Sequence, residues 1–163
     1  MAPPRPGPWF QPMVARLRFE LELSAAGDRF RGWMTRSRQP GPGYELRGRV
    51  SPFGLGPVEV RIVFTGRMPT MPHVYVAGPN DSPHRYADGA LCMWYPRDPP
   101  EAQWTLANGP WALLGHIAAH LLREDFWRRT GEWPGEEAPH RLATRRRKRT
   151  PASPRPLTQG INP

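Results

Sequence analysis

The sequence predicts an α+β domain, and three observations predict it. Four short segments read as strands, two of them alternating apolar and polar side chains with the period of a half-buried strand. The stretches between them are short and rich in Gly and Pro. One long run of helical periodicity closes the folded part. Strands joined by short loops pair antiparallel, because a parallel pair needs a long crossover. The expected sheet is therefore a four-stranded meander with a helix packed on it.

Residues 1–12 contain five prolines and few large apolar groups, so a disordered Pro-rich lead is expected there. Residues 13–26 carry two competing periods. Leu17, Phe19, Leu21 and Leu23 alternate with charged residues, as in a strand. Met13, Val14, Leu17, Leu21 and Ala25 also share one helical face, Pro12 suits a helix start, and Gly27 suits its stop. Arg16–Glu20 and Arg18–Glu22 have the spacing of helical ion pairs. Periodicity alone slightly favours a strand.

The strand candidates are residues 29–36, 44–50, 58–64 and 73–77. The clearest is 58–64, with Val58, Val60, Ile62 and Phe64 on one face. In 44–50, Tyr44, Leu46, Gly48 and Val50 alternate the same way. Residues 97–103 read as a polar loop. Residues 110–129 form the strongest helix pattern, with Pro110 at its first turn and Gly131 at its stop. Trp111, Leu114, Ile117, Ala118, Leu121, Leu122 and Phe126 form its apolar arc, and His116 and His120 are expected on the opposite, solvated face. Residues 130–140 are a loop, and 141–163 a basic disordered tail.

The totals narrow the function. A chain of 163 residues has room for one domain, here placed at 13–140. Its formal charge is +9, but seven of its 23 Lys and Arg lie after residue 140, where there are no acids. The remainder carries sixteen basic and fourteen acidic side chains, so the basicity belongs to the tail. The Arg145–Arg149 run could neutralise phosphates, but no aromatic residue interleaves it and no base-reading module precedes it. Nucleic acid is therefore an alternative partner through the tail, not the expected one. With one cysteine there is no disulfide framework and no Cys-rich zinc module. No apolar run spans a bilayer and no signal-peptide core is present, so no membrane partner and a cytoplasmic location are expected. His116 and His120 lack a third ligand nearby, and no Gly-rich phosphate loop occurs, so no metal and no cofactor are expected.

That leaves Cys92, the only thiol, within S-P-H-R-Y-A-D-G-A-L-C-M-W-Y-P at 82–96. A lone cysteine among apolar neighbours ordinarily just packs. This one follows an Asp88-Gly89 turn signal, which favours an accessible position. As thiolate it is a nucleophile that holds an acyl group without a metal. His84 precedes it by eight positions, and Asp88 and Asp98 are the nearby carboxylates. The signatures of papain-like and caspase-like cysteine hydrolases are missing.

The order of elements, with P-H-R-Y-A-D-G-A-L-C-M-W-Y-P (83–96), Trp104-Thr105-Leu106, Gly109-Pro110-Trp111 and T-G-E-W-P-G-E-E-A-P-H (130–140), resembles the ubiquitin-conjugating (UBC-like) family. The likeness is to its prokaryotic branch in anti-phage operons such as CBASS, over about residues 12–140. It implies the UBC-like fold: an N-terminal helix at 13–26, the meander, a cysteine loop and a long C-terminal helix. It also implies an enzyme with Cys92 as thioester nucleophile. The donor would be a ubiquitin-like protein or the C-terminus of a CBASS nucleotidyltransferase, loaded by a ubiquitin-activating-type enzyme. The acceptor would be a target protein's lysine amine. A non-catalytic binding module of the same fold is the alternative. Eukaryotic members carry a His-Pro-Asn step whose Asn steadies the loop and the oxyanion. Here Arg85-Tyr86 follow His84. His84 thus carries over only as loop support, Asp88 or Asp98 as an aid to amine deprotonation, and backbone N–H groups near Cys92 as the oxyanion donors.

Overall fold

In a computed structural model of the chain, residues 7–26, 28–36, 41–95 and 98–135 are described. The elements are α1 (Met13–Ala26), β1 (Asp28–Arg36), β2 (Pro42–Val50), β3 (Val58–Phe64), β4 (His73–Val76) and α2 (Gly109–Thr130). Two 3-10 turns, Pro100–Ala102 and Leu106–Asn108, lie between β4 and α2. The sheet order is β1-β2-β3-β4, antiparallel throughout, which is the expected meander. The fold is α+β with one helix before the sheet and one after it.

Period-two patterning gives the sheet two unlike faces. Tyr44, Leu46, Val60, Ile62, Phe64 and Val74 are buried in the core. Between them, Glu45 takes Arg47 at 2.9 Å and Arg61 at 3.5 Å on the outer face. Arg47 also lies over the Trp33 ring and Arg61 over the Tyr75 ring. Gly48 belongs to the inner series because Phe30 occupies the space above it. A Cβ at Gly48 would stand 2.6 Å from the Phe30 ring.

Both helices pack on the inner face, and each differs from the sequence expectation in which side it buries. In α1 the buried residues are Phe19 and Leu23. The anticipated face is turned outward: Met13, Val14, Leu17 and Leu21 are all at least half exposed. Phe19 decides the rotation, because its ring meets Phe64 at 5.7 Å and Trp104 at 6.4 Å between centroids. A phenyl ring buries more apolar area than any aliphatic residue on the other face. Arg18 pairs with Glu22 at 2.9 Å as its spacing suggests, while Arg16 turns back to the Phe10 and Gln11 carbonyls at 2.7 and 2.8 Å.

Those contacts draw in part of the Pro-rich lead. Phe10 is fully buried and Trp9 packs on Phe19 and Phe64. The packed unit therefore starts at least four residues before Met13, because two large aromatic rings among the prolines are enough to anchor the segment. Residues 1–6 and the basic tail at 141–163 lie outside the described residues.

In α2, Leu113, Leu114, Ile117 and Leu121 meet the core, while Trp111, Leu122 and Phe126 are substantially exposed. His120 and Glu124 are buried, which overturns the expectation that His120 faces solvent. Helix α2 ends at Gly131, whose φ of 79° gives the left-handed cap and lets its N–H reach the Trp127 carbonyl.

Candidate active site

Beyond β4 the chain folds back on itself around Cys92. Asp88 and Gly89 make the turn, and Gly89 has φ 85°, a conformation that glycine adopts without penalty. The Tyr86 N–H donates to the Ala90 carbonyl at 2.9 Å, and the Cys92 N–H donates to the His84 carbonyl at 2.9 Å. Arg85 and Leu91 bridge between these pairs. The result is a small hairpin, 84–92, moored to β4 by a bond from the Leu91 N–H to the Val74 carbonyl at 2.8 Å. Cys92 ends its second arm and is partly exposed.

Two braces hold the first arm against α2. Arg85 gives Glu124 a two-pronged ion pair, Nε to Oε1 and NH2 to Oε2, both at 2.7 Å. The side chains are nearly inaccessible to water. Arg128 adds a contact to Glu124 at 3.4 Å, and His120 lies 3.6 Å away. Burial alone would push the Glu124 carboxyl up. The hydrogen bonds from Arg85, with the nearby His120 and Ser82, outweigh it and hold the group well below the usual carboxylate range. The second brace is a ring stack. His84 lies 4.0 Å from Trp133, and Trp133 also meets His120 at 5.4 Å.

The sequence candidates are placed as follows. His84 is buried, holding Cys92 through its backbone carbonyl and the following loop through its ring. Asp88 has both oxygens engaged, by the Ala90 N–H at 3.0 Å and the Tyr75 hydroxyl at 2.9 Å. The Ala90 bond is the main reason its carboxyl sits below its ordinary range, and partial burial opposes it. Asp98 is beyond the hairpin, where its Oδ2 accepts the Tyr95 N–H at 2.7 Å. His84 and Asp88 thus share the hairpin with Cys92, while Asp98 braces the loop after it. His116 is half-buried against Trp94, and burial, then the Arg123 charge, keep its pKa low. Among the described residues no three His, Cys, Asp or Glu side chains converge as a metal site.

Sequence reasoning missed Arg85, Glu124, Trp133 and Tyr86. A two-residue turn at Asp88-Gly89 would pair 87 with 90, but the connection is 87–89 and pairs 86 with 90, which sets Tyr86 diagonally across from Cys92, a separation an aromatic side chain spans. Burial first, then the neighbouring Cys92 thiol and the Asp88 charge, push the tyrosine up to about 12. Tyr86 also borders an apolar cleft of about 450 Å³ with Met68, Met71, Pro72, Leu91 and Trp94.

Fold and site together describe an α+β protein that presents one partly exposed thiol on a braced hairpin. The family model of the type II CBASS E2 protein matches residues 27–141, more than half of the chain, and the chain belongs to that family. Its role is accordingly ubiquitin-conjugation-like, within CBASS anti-phage defence and alongside other CBASS components. No curated protein and no solved structure matches it. No helix among the described residues is long and apolar enough to cross a membrane.

Proposed function

We propose that the protein carries the C-terminal acyl group of a donor protein as a thioester on Cys92 and passes it to an amine. The donor is a ubiquitin-like protein or a CBASS nucleotidyltransferase C-terminus, activated by a separate enzyme. The observation that carries this reading is the placement of the sole thiol: partly exposed, at the end of a hairpin clamped to both β4 and α2, in a member of this family.

The chemistry needs little else. The Cys92 thiolate attacks the activated carbonyl, the carbon–sulfur bond forms, and the donor's activating group leaves. A neutral amine then attacks the thioester carbonyl. The carbon–nitrogen bond forms, the carbon–sulfur bond breaks, and the amine's proton ends on the released thiol. The bracing of the hairpin keeps the thioester in one orientation for that attack. Asp88, with both oxygens engaged and its carboxyl already acidic, is a poor proton acceptor. Asp98, of whose two carboxylate oxygens the described residues engage one, keeps capacity to orient an incoming ammonium.

The test supplies the donor and its activating enzyme. Wild type should form an adduct that reductant removes, Cys92→Ser a slower adduct that resists reductant, and Cys92→Ala none. A reducible adduct on the alanine variant would sink the assignment, because the chain has no other thiol. No adduct on wild type with a verified donor system would favour the non-catalytic binding module.

A further inference from the structure

We propose that the Tyr86 hydroxyl is the hydrogen-bond donor to the oxyanion that forms on the acyl group at Cys92. The inference rests on the thioester reading above. Every acyl transfer through a thioester passes through a tetrahedral carbon whose oxygen carries negative charge, and a fixed donor aimed at that oxygen accelerates both loading and discharge. The obvious donors are the backbone amides next to the sulfur. Those that lead up to it are committed elsewhere: Ala90 N–H to Asp88, Leu91 N–H to the Val74 carbonyl, and Cys92 N–H to the His84 carbonyl.

Tyr86 carries the hydroxyl donor on the sulfur's own face of the hairpin, diagonally across from Cys92, because Arg85 bridges Leu91 between the Tyr86–Ala90 and Cys92–His84 backbone bonds. The acyl carbon is bonded to that sulfur and its oxygen lies one bond further out, within the sweep of the same hydroxyl. The backbone of Tyr86 is fixed on both sides, by its N–H to the Ala90 carbonyl and by its carbonyl to the Gly89 N–H, each at 2.9 Å. Its ring borders the apolar cleft with Met68, Met71 and Trp94, a setting that strengthens a hydrogen bond to charge. A donor must keep its proton, and a phenol raised to about 12 keeps it at every working pH.

The probe is a glycine-ended peptide activated as its mercaptoethanesulfonate thioester, which needs no activating enzyme. Cys92 exchanges with it: the new carbon–sulfur bond forms, mercaptoethanesulfonate leaves, and the Cys92 proton is taken up by that thiolate. Free lysine then discharges the peptide as an amide. Tyr86→Phe removes only the hydroxyl. An enclosed oxyanion donor is worth about a hundredfold or more. Tyr86 is 45% exposed, so water competes for the oxyanion and about a tenfold slowing is expected. The variant should load and discharge about tenfold more slowly, reach the same final extent of loading, and melt with wild type. The ratio of wild-type to variant rates should stay constant between about pH 7 and about pH 10, since the hydroxyl does not ionise there. Rates within twofold of wild type in a variant that loads would overturn the role of Tyr86 alone. So would a ratio that collapses towards one as pH approaches 10, or a variant that melts well below wild type. A wild type that never takes the peptide, although Cys92 reacts with iodoacetamide, would overturn the thioester reading and this inference with it.

Discussion

Replacing Glu124 with Gln tests whether the buried ion pair holds the cysteine hairpin in place. The substitution keeps shape and removes charge. Glu124 is fully buried and its partner Arg85 nearly so. The variant would leave a guanidinium in the interior facing an amide that offers only one acceptor oxygen. Its NH2 group would oppose an Arg85 N–H, donor against donor. Removing one partner of a buried pair costs about 3–5 kcal/mol, most of it the price of the stranded charge. For a domain of this size each kcal/mol is worth roughly 3 °C in melting temperature, so a fall of about 10–15 °C is expected.

Two controls separate the pair from generic damage. Arg85→Met with Glu124→Leu replaces the pair by apolar groups and should recover most of the loss, since such replacements are often neutral or better. Acid titration gives the second. The folded-state carboxyl lies below its unfolded value of 4.5, so the unfolded chain binds the extra proton as pH falls. The contribution of Glu124 is thus fully present above about pH 4.5 and is lost below it, towards the folded-state value. Wild type should lose stability more steeply than Glu124→Gln across that acid range, by thermal melts at successive pH values. A variant melting within 2 °C of wild type, or parallel acid curves, would refute the reasoning.

Two further outcomes test the packing. Phe19→Ala should cost about 3–5 kcal/mol by chemical denaturation, whereas Leu17→Ala should cost under about 1 kcal/mol, because α1 buries the first and exposes the second; the opposite ranking would mean that the helix is rotated. Gly48→Ala should destabilise by about 1–3 kcal/mol, because the new methyl would stand 2.6 Å from the Phe30 ring, and an unchanged midpoint would put the β1–β2 pairing in error.

The sheet and α2 were legible because their signals are local. Alternation in 58–64, the Gly and Pro of the loops, and Pro110 with Gly131 each act over a few residues. What was not legible depends on partners far away in the chain. Residues 13–26 offered two apolar faces, and the choice fell to Phe19 through contacts with Phe64 and Trp104. His120 and Glu124 are polar residues that a helical wheel assigns to water. Their burial is possible only because Arg85 arrives from 39 positions upstream. The same distance hid the brace from any reading of the cysteine loop by itself. The Asp88-Gly89 turn, by contrast, was a local signal that marked where the thiol would be presented.

The motifs that look unrelated along the chain serve one mechanical need. On the proposed thioester reading, a thiol that meets two large partners in turn has to stay exposed, so its own burial cannot fix it. Fixing must come from its neighbours, and the hairpin divides the work by position. Arg85 and His84 reach towards α2 and Trp133, the first by charge and the second by stacking. Tyr86 and Asp88 border the cleft beside Met68 and Met71. Leu91 ties the returning arm to the edge strand. Trp104 then donates its indole N–H to the Gly109 carbonyl at 2.8 Å, so the start of α2 is held by the segment that leaves the cysteine loop. These anchors act on the backbone of the hairpin, on α2 and on Trp133, and they leave the sulfur partly exposed. An apolar plug under Cys92 would have held the loop as firmly, but only by burying the thiol that the proposed transfer needs exposed.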